Sequence, residues 1–298
     1  MVDVIDMVHR AQLLMWAVGS LLALAVLMIN STTMGVGGDP VTLGGLLLGK
    51  PTIHAAIAIL AMWLASYVDV RGLYQIRGVF NPIPWLLLVS IALCGVALLP
   101  GVGAELNASR RWLFLGPRSM GVTFQPSELA KWVLVAGVAW WCARRAGAMG
   151  KFFVGLLPIM VVIGLVCALI VLEDLGTAVL IGTVAVVMLL AGGARLWQML
   201  LILPGAIGAV VGMIVIEPYR MQRLMVFLNP YVDADGAGYQ PIQMMAAIAG
   251  GNRGLGNGIA KQGYVPAETT DAILAIICEE LGLAGAALVM GLLLVLVW

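Results

Sequence analysis

PYRMQRLMVFLNPYVDADGAGYQPIQMMAAIAGGNRGLGNGIAKQGYVPAETTD, from Pro218 to Asp271, is the polar stretch whose reading decides the fold. It lies between two long apolar segments and carries Arg220, Arg223, Arg253 and Lys261 together with Asp233, Asp235, Glu268 and Asp271. The chain around it is 62% hydrophobic and 10% charged, so this density of ionisable groups needs a cause. A connection longer than about 15 residues without a core of its own is usually functional or disordered. Leu224, Phe227, Leu228, Tyr231, Tyr239, Ile242 and Ile248 supply apolar surface that argues against disorder. The stretch reads as a loop packed on a membrane surface, a lid or half of a site.

Outward from that loop the chain is apolar. A mean hydropathy of +1.06 over 298 residues belongs to a membrane protein that crosses the bilayer repeatedly. A spanning helix needs about 20 mostly apolar residues. On that criterion we expect an all-α polytopic bundle with about eight transmembrane helices, near residues 11–31, 53–70, 82–100, 128–143, 152–172, 175–193, 197–217 and 272–298. The whole chain, 1–298, reads as one transmembrane domain with two long polar connections, 101–127 and 218–271. The first apolar run has no small-residue cleavage site after it and reads as a retained helix.

Net charge is +1, too small for nucleic acid to be a partner through global attraction. Cys94, Cys142, Cys167 and Cys278 all fall in apolar segments without a CxxC pair, and read as small core or lipid-facing residues. His9 and His54 read as interfacial residues near helix starts. The short connections with Arg71, Arg144, Arg145, Lys151 and Arg195 fall on one side of the bundle, which the positive-inside rule makes cytoplasmic. The two long connections then face outward, yet they hold Arg110, Arg111, Arg118, Arg220, Arg223, Arg253 and Lys261. Cations retained on the translocated face point to an anionic ligand there.

Several local patterns have a bland reading beside a functional one. In Gln125-Pro126-Ser127-Glu128, Ser127 is suited to cap a helix, and Glu128 and Lys131 share one face of its first turn. That pair can simply neutralise itself, or it can form a cavity wall with Arg111 and Trp112, whose indole offers a stacking face for a sugar. The glycines at 250, 251, 254, 256 and 258 make sharp turns and match no phosphate-loop signature. Asp233-Ala-Asp235-Gly lacks the ligands of a calcium loop and reads as a turn. Gly208 and Gly212 form a GxxxG that permits close helix approach. Asp271 stands where the last helix enters the membrane, as an N-cap or as a general base whose pKa is set by desolvation against nearby cations. Glu279 and Glu280 lie two turns deeper, where carboxyl groups are expensive, and so are expected to face the bundle interior.

Taken together, these motifs resemble the SEDS family (shape, elongation, division and sporulation), the FtsW/RodA/SpoVE-like proteins. The matching residues are Arg111-Trp112, Leu115-Gly116, Gln125 to Lys131, Asp174-Leu175-Gly176-Thr177, Tyr219-Arg220 with Arg223, and Phe227-Leu228-Asn229-Pro230. They continue through Gly238-Tyr239-Gln240, Gly250-Gly251, Gly254-Leu255-Gly256-Asn257, Pro266, Thr270-Asp271 and Glu279-Glu280-Leu281-Gly282, in the family's order. Phe227 to Pro230 and Gly254 to Asn257 look closer to the FtsW branch.

The resemblance implies a peptidoglycan glycosyltransferase that polymerises lipid II at the outer face of the bacterial cytoplasmic membrane, in cell division or cell-shape maintenance. Asp271 corresponds to the family's loop aspartate. Arg111, Trp112, Gln125, Ser127, Glu128, Lys131, Arg220, Arg223, Gln240 and Lys261 are the expected substrate-binding residues. The implied partners are lipid II, a class B penicillin-binding protein and other divisome or elongasome membrane proteins. No residue cluster marks a metal site, although a divalent cation, Mg or Mn, could share the charge of a pyrophosphate. A lipid II flippase and an inactive division scaffold are the alternatives. The family pattern Leu-Pro-Glu-x-His-Thr-Asp-Phe is here Val265-Pro266-Ala267-Glu268-Thr269-Thr270-Asp271-Ala272, Met244 replaces a serine, and Leu172-Glu173 replaces a Gln-Pro. Ten helices are typical of the family, so its C-terminal helices are expected beyond Trp298.

Overall fold

In the computed structural model the described residues are 2–33, 43–76, 78–99, 102–106, 109–114, 123–172, 174–251, 253–254, 258 and 272–297. The helices before the first long connection are α1 (Val2–Thr33), α2 (Leu43–Leu48), α3 (Lys50–Ala65), α4 (Val70–Gln75) and α5 (Pro82–Ala97). That connection contains strands β1 (Ala104–Leu106), β2 (Ser109–Phe114) and β3 (Thr123–Phe124). After it come α6 (Pro126–Arg144), α7 (Leu157–Val171), α8 (Leu175–Ala191) and α9 (Leu196–Ile216). Then follow α10 (Pro218–Leu228), α11 (Tyr239–Ala249) and α12 (Ile273–Val297).

Every apolar segment marked in the sequence contains a helix. Four are long and apolar enough to cross a membrane, Ala11–Ser31, Phe152–Val171, Leu196–Ile216 and Ile273–Val297. Lys50–Ala65, Pro82–Ala97 and Leu175–Ala191 are shorter apolar helices. α6 carries Glu128, Lys131 and Arg144, which lower its hydropathy. The count of eight spans therefore exceeds what length and composition alone support. The second segment also ends earlier than expected. α3 stops at Ala65, and Asp69 accepts from Gly72 N at 3.0 Å to cap a separate helix, α4.

The two polar connections differ from the sequence reading. Connection 101–127 holds a small antiparallel sheet of order β1-β2-β3, with Ala104 opposite Trp112 and Leu113 opposite Phe124. Connection 218–271 is partly helical, containing α10, a 3₁₀ turn over Pro230–Asp233, and α11. Pro218, Pro230 and Pro241 stand in the first turns of these elements. Pro218 and Pro230 are first residues, where a missing N–H costs nothing. The turn reading of Asp233 is as expected: its Oδ2 accepts from Ala237 N and from Gln222 Nε2, each at 2.8 Å.

The chain divides into two compact units, Met1–Val68 with Met221–Trp298, and Asp69–Arg220. In the Asp69–Arg220 unit, α5, α6, α7 and α8 pack together, α9 packs on α8, and β2 lies against α5 and α6. The core includes Leu134, Val138, Met149, Leu156, Val166 and Leu189. At one end of α7 a π turn over Phe152–Leu156 widens the helix, and its loosened carbonyls find donors. Trp141 Nε1 donates to Gly155 O at 2.7 Å, and Arg145 Nη1 to Val154 O at 2.7 Å while its guanidinium stacks 4.3 Å from the Trp141 ring. Buried Gln198 donates to Gly150 O at 3.0 Å and accepts from Arg195 N at 3.1 Å.

In the other unit α1 packs on α3 and α12, and α11 packs on α12. Met28, Ala247, Ala272, Ala275, Ile276 and Ile277 make its core. In both units large apolar side chains stand on the surface, among them Trp16, Trp132, Leu201 and Leu294, each more than half exposed. In water such patches would drive association, whereas beside lipid tails they are matched to their solvent. Cys94 and Cys142 are buried and the other two cysteines half-buried, all with free thiols.

Candidate functional site

The first group of expected site residues lies where β2 and β3 lead into α6. Arg111 and Trp112 are adjacent on β2; the Trp112 side chain is half-buried, and that of Arg111 lies outside the described set. The entry to α6 is built differently from the expectation. Gln125, not Ser127, occupies the N-cap with extended φ/ψ of −101° and 110°, because Pro126 takes the first helical position. Ser127 is inside the first turn and buried, where its Oγ accepts from Gln125 Nε2 at 2.8 Å. Glu128 and Lys131 pair at 2.8 Å as their spacing predicts, with Glu128 51% and Lys131 26% exposed. Exposed pairs of this kind contribute about 0.2–1 kcal/mol. Lys131 also edges an apolar crevice of about 190 Å³ between α6 and α8, walled by Leu134, Val138, Ile181 and Ala185.

Arg220 is drawn into the scaffold. Its Nη2 donates to Val171 O at 3.0 Å and Leu172 O at 3.2 Å, and Nη1 reaches Met213 O at 3.4 Å. The last carbonyls of a helix have no partner within it, and a cation also complements the negative end of the dipole. One arginine thus ties the end of α7 to α9. Asp174 does the reverse job at the start of α8, accepting from Thr177 N at 2.9 Å.

In the Met1–Val68 and Met221–Trp298 unit, Arg223 is exposed on α10 and Gln240 half-buried in the first turn of α11. Asp271 and Lys261 lie outside the described residues. Neighbouring Ala272 is fully buried at the head of α12. Among the described residues no three of His, Cys, Asp and Glu come together in a way that could hold a metal ion.

Two carboxyl groups left out of the expected site are its best-defined polar feature. Glu279 and Glu280 are 2% and 1% exposed, in the second turn of α12. Ser31 Oγ, from α1, lies 3.0 and 2.9 Å from the two carboxyl oxygens of Glu280. Arg253 Nε lies 3.4 Å from Glu279 Oε1. The sequence signal for them was their position, a charged pair inside a 25-residue apolar helix. Their partners are 26 and 249 residues away in the chain, and no local pattern names them.

Residues 12–298 match the FtsW, RodA and SpoVE family, described as cell cycle proteins. The chain is 33% identical over 282 residues to a protein of Coxiella burnetii named as a probable peptidoglycan glycosyltransferase FtsW, covering 93% of this chain and 73% of that one. A protein of Nitrosococcus halophilus with the same name is 35% identical over 283 residues, at 93% and 72% coverage. Among solved structures, a chain of a peptidoglycan synthase complex that coordinates polymerization and crosslinking is similar at TM-score 0.68 and 27% identity. That likeness covers 95% of this chain and 74% of that one.

Proposed function

Because the chain belongs to the FtsW, RodA and SpoVE family, we propose that it is a multi-pass membrane peptidoglycan glycosyltransferase that polymerises lipid II. The observation that carries this reading is the family match over residues 12–298, joined by relatives named for that activity. We place it in the bacterial cytoplasmic membrane, with eight helical segments crossing and both polar connections on the extracytoplasmic side. The basic short connections support that orientation. A class B penicillin-binding protein is the proposed partner, supported by the likeness to a synthase complex that couples polymerization to crosslinking.

Lipid II is an undecaprenyl chain joined through pyrophosphate to a disaccharide-peptide. The polymerising step joins the 4-hydroxyl of the acceptor sugar to the anomeric carbon of the donor chain. The bond from that carbon to the pyrophosphate breaks, and the hydroxyl proton must leave. Asp271 is the proposed acceptor of that proton, a role that typically contributes about 10²- to 10⁴-fold. Arg111, Arg220, Arg223 and Lys261 are the proposed cations for the pyrophosphate, charge-assisted donors being the strong ones. Arg220 enters this role already fixed by its bonds to α7, and a guanidinium keeps donors beyond those three contacts. Trp112, Gln125, Ser127, Glu128, Lys131 and Gln240 are proposed to meet the sugar and headgroup. The apolar crevice beside Lys131 suits an isoprenoid segment. A divalent cation, Mg or Mn, would add positive charge beside the pyrophosphate; among the described residues no carboxylate or histidine cluster would hold one, and a fall in rate with EDTA would read its contribution.

The test uses the purified chain in vesicles with labelled lipid II, reading glycan length on a gel and label movement across the bilayer. A polymerase lengthens glycan. Movement of lipid II without lengthening would make the chain a flippase, and neither activity, with the penicillin-binding partner present, would leave a scaffold.

A further inference from the structure

α12 is broken where it carries its two buried carboxyl groups. Gly282 has φ 65° and ψ −156°, a conformation essentially reserved to glycine, so the i to i+4 ladder is interrupted there. The carbonyls of Glu279 and Glu280, whose ladder donors would be Leu283 and Ala284, take donors from elsewhere in the chain. Arg253 N donates to Glu279 O and Gly254 N to Glu280 O, each at 2.9 Å. The glycine turn thus docks on the break through its backbone. The side chains reinforce the same seam: Arg253 pairs with Glu279, and Ser31 of α1 bonds Glu280. Gly258 is buried against both. A Cβ there would stand 3.0 Å from Glu279 Oε2 and 3.2 Å from Glu280 Oε1, so any side chain would crowd both carboxyl groups and make them give by a few tenths of an ångström.

These contacts fix two points of the chain on α12. At one end Gly258 is held on the second turn of α12; at the other, Ala272 is buried at the head of the same helix. In the sequence, residues 259–271, with Lys261 and Asp271, fall between these two points.

We propose that Glu279 and Glu280 are positioning residues for the polymerisation step: they fix the glycine turn on the break in α12 and so set where the segment carrying Asp271 departs and returns. Ser31 links α1 to that setting. The proposal rests on the polymerase reading, and its test has one arm that does not. Amide exchange at Arg253 and Gly254 is measured in membrane-reconstituted wild type, Glu280→Ala, Glu280→Gln, Ser31→Ala and Gly258→Ala, alongside kcat and KM for lipid II polymerisation.

Glu280→Ala is expected to speed exchange at both amides and to lower kcat by about 10- to 100-fold, the range of one lost hydrogen bond to a charged group. KM should move by less than about 2-fold, since none of the proposed headgroup cations is touched. Glu280→Gln still accepts from Ser31 and should recover most of both. Ser31→Ala and Gly258→Ala keep every charge and should shift exchange and kcat in the same direction, which keeps the test decisive should Glu280→Ala not fold. Unchanged amide exchange in Ser31→Ala and Gly258→Ala would overturn the anchoring. Faster exchange at wild-type kcat would overturn its role in the reaction. A wild type that anchors the turn but never lengthens glycan would overturn the polymerase reading alone.

Discussion

The Asp69–Arg220 unit and the unit formed by Met1–Val68 and Met221–Trp298 handle charge in opposite ways. In the first, polar side chains serve backbone groups, chiefly at helix ends: Arg220 the end of α7, Asp174 the start of α8, Tyr74 a carbonyl of α6. Helix ends leave orphan donors and acceptors in any case, so polar side chains there answer a need of the scaffold. In the second, carboxyl groups lie within a helix, buried, and held by residues far away in sequence. Nothing in the backbone of a regular helix asks for them. Buried charge is costly unless matched, and replacing a matched pair by apolar side chains is often neutral or stabilising. The pair at 279 and 280 therefore points to a requirement beyond stability, and the docked glycine turn supplies one.

Substitutions can break or sharpen this contrast. Arg253→Met removes the cation beside buried Glu279 and should destabilise its unit by about 3 kcal/mol, the low end for a buried pair because Arg253 is 40% exposed. Chemical denaturation in a defined detergent measures it, and a change below about 1 kcal/mol would mean that the seam is not held by charge. Arg220→Ala leaves the α7 carbonyls short of donors and should cost about 1–3 kcal/mol. A loss of polymerisation much larger than that destabilisation would show that Arg220 also serves the substrate.

Tyr74 tests the scaffold side alone. Its hydroxyl donates to Ala136 O at 3.0 Å, and burial raises the phenol above its ordinary pKa. A raised value means that the neutral form is the one the fold favours. Its contribution is complete below the ordinary value of about 10 and is lost as pH rises through the folded value. Tyr74→Phe should cost about 0.5–1.5 kcal/mol below that pH and should flatten the alkaline limb of a stability profile. Glu128→Gln is the smallest change for stability, below about 1 kcal/mol, because the pair is half in solvent. A large fall in polymerisation at unchanged stability would then assign the pair to the substrate, and no fall would leave it a surface ion pair.

The apolar helices are legible in the sequence because a run of about 20 apolar residues has few other stable outcomes. The inward placement of Glu279 and Glu280 is legible for the same reason, since carboxyl groups in such a helix have nowhere else to go. α10 and α11 are not, because the polar density of 218–271 reads as one loop, whereas Pro218 and Pro241 stand in the first turns of helices. Ser127 is the residue type that caps helices, but Pro126 moves the cap back to Gln125. The break at Gly282 and its partners depend on contacts across long stretches of chain, which local spacing does not encode. Gln125, Ser127, Glu128 and Lys131 share the N-terminal end of α6, and Trp112 lies on β2, the strand that packs against that helix. Asp271 and Lys261 lie beyond the described residues, so their assignment still rests on the family pattern and on chemistry.

Asp271 is the proposed acceptor of the proton of the attacking hydroxyl. Asp271→Asn, purified beside wild type and given lipid II, tests it most directly. Wild type should build a ladder of glycan products. The variant should melt at the same temperature and build none, with a rate lower by about 10²-fold or more. A full ladder from Asp271→Asn would contradict the account.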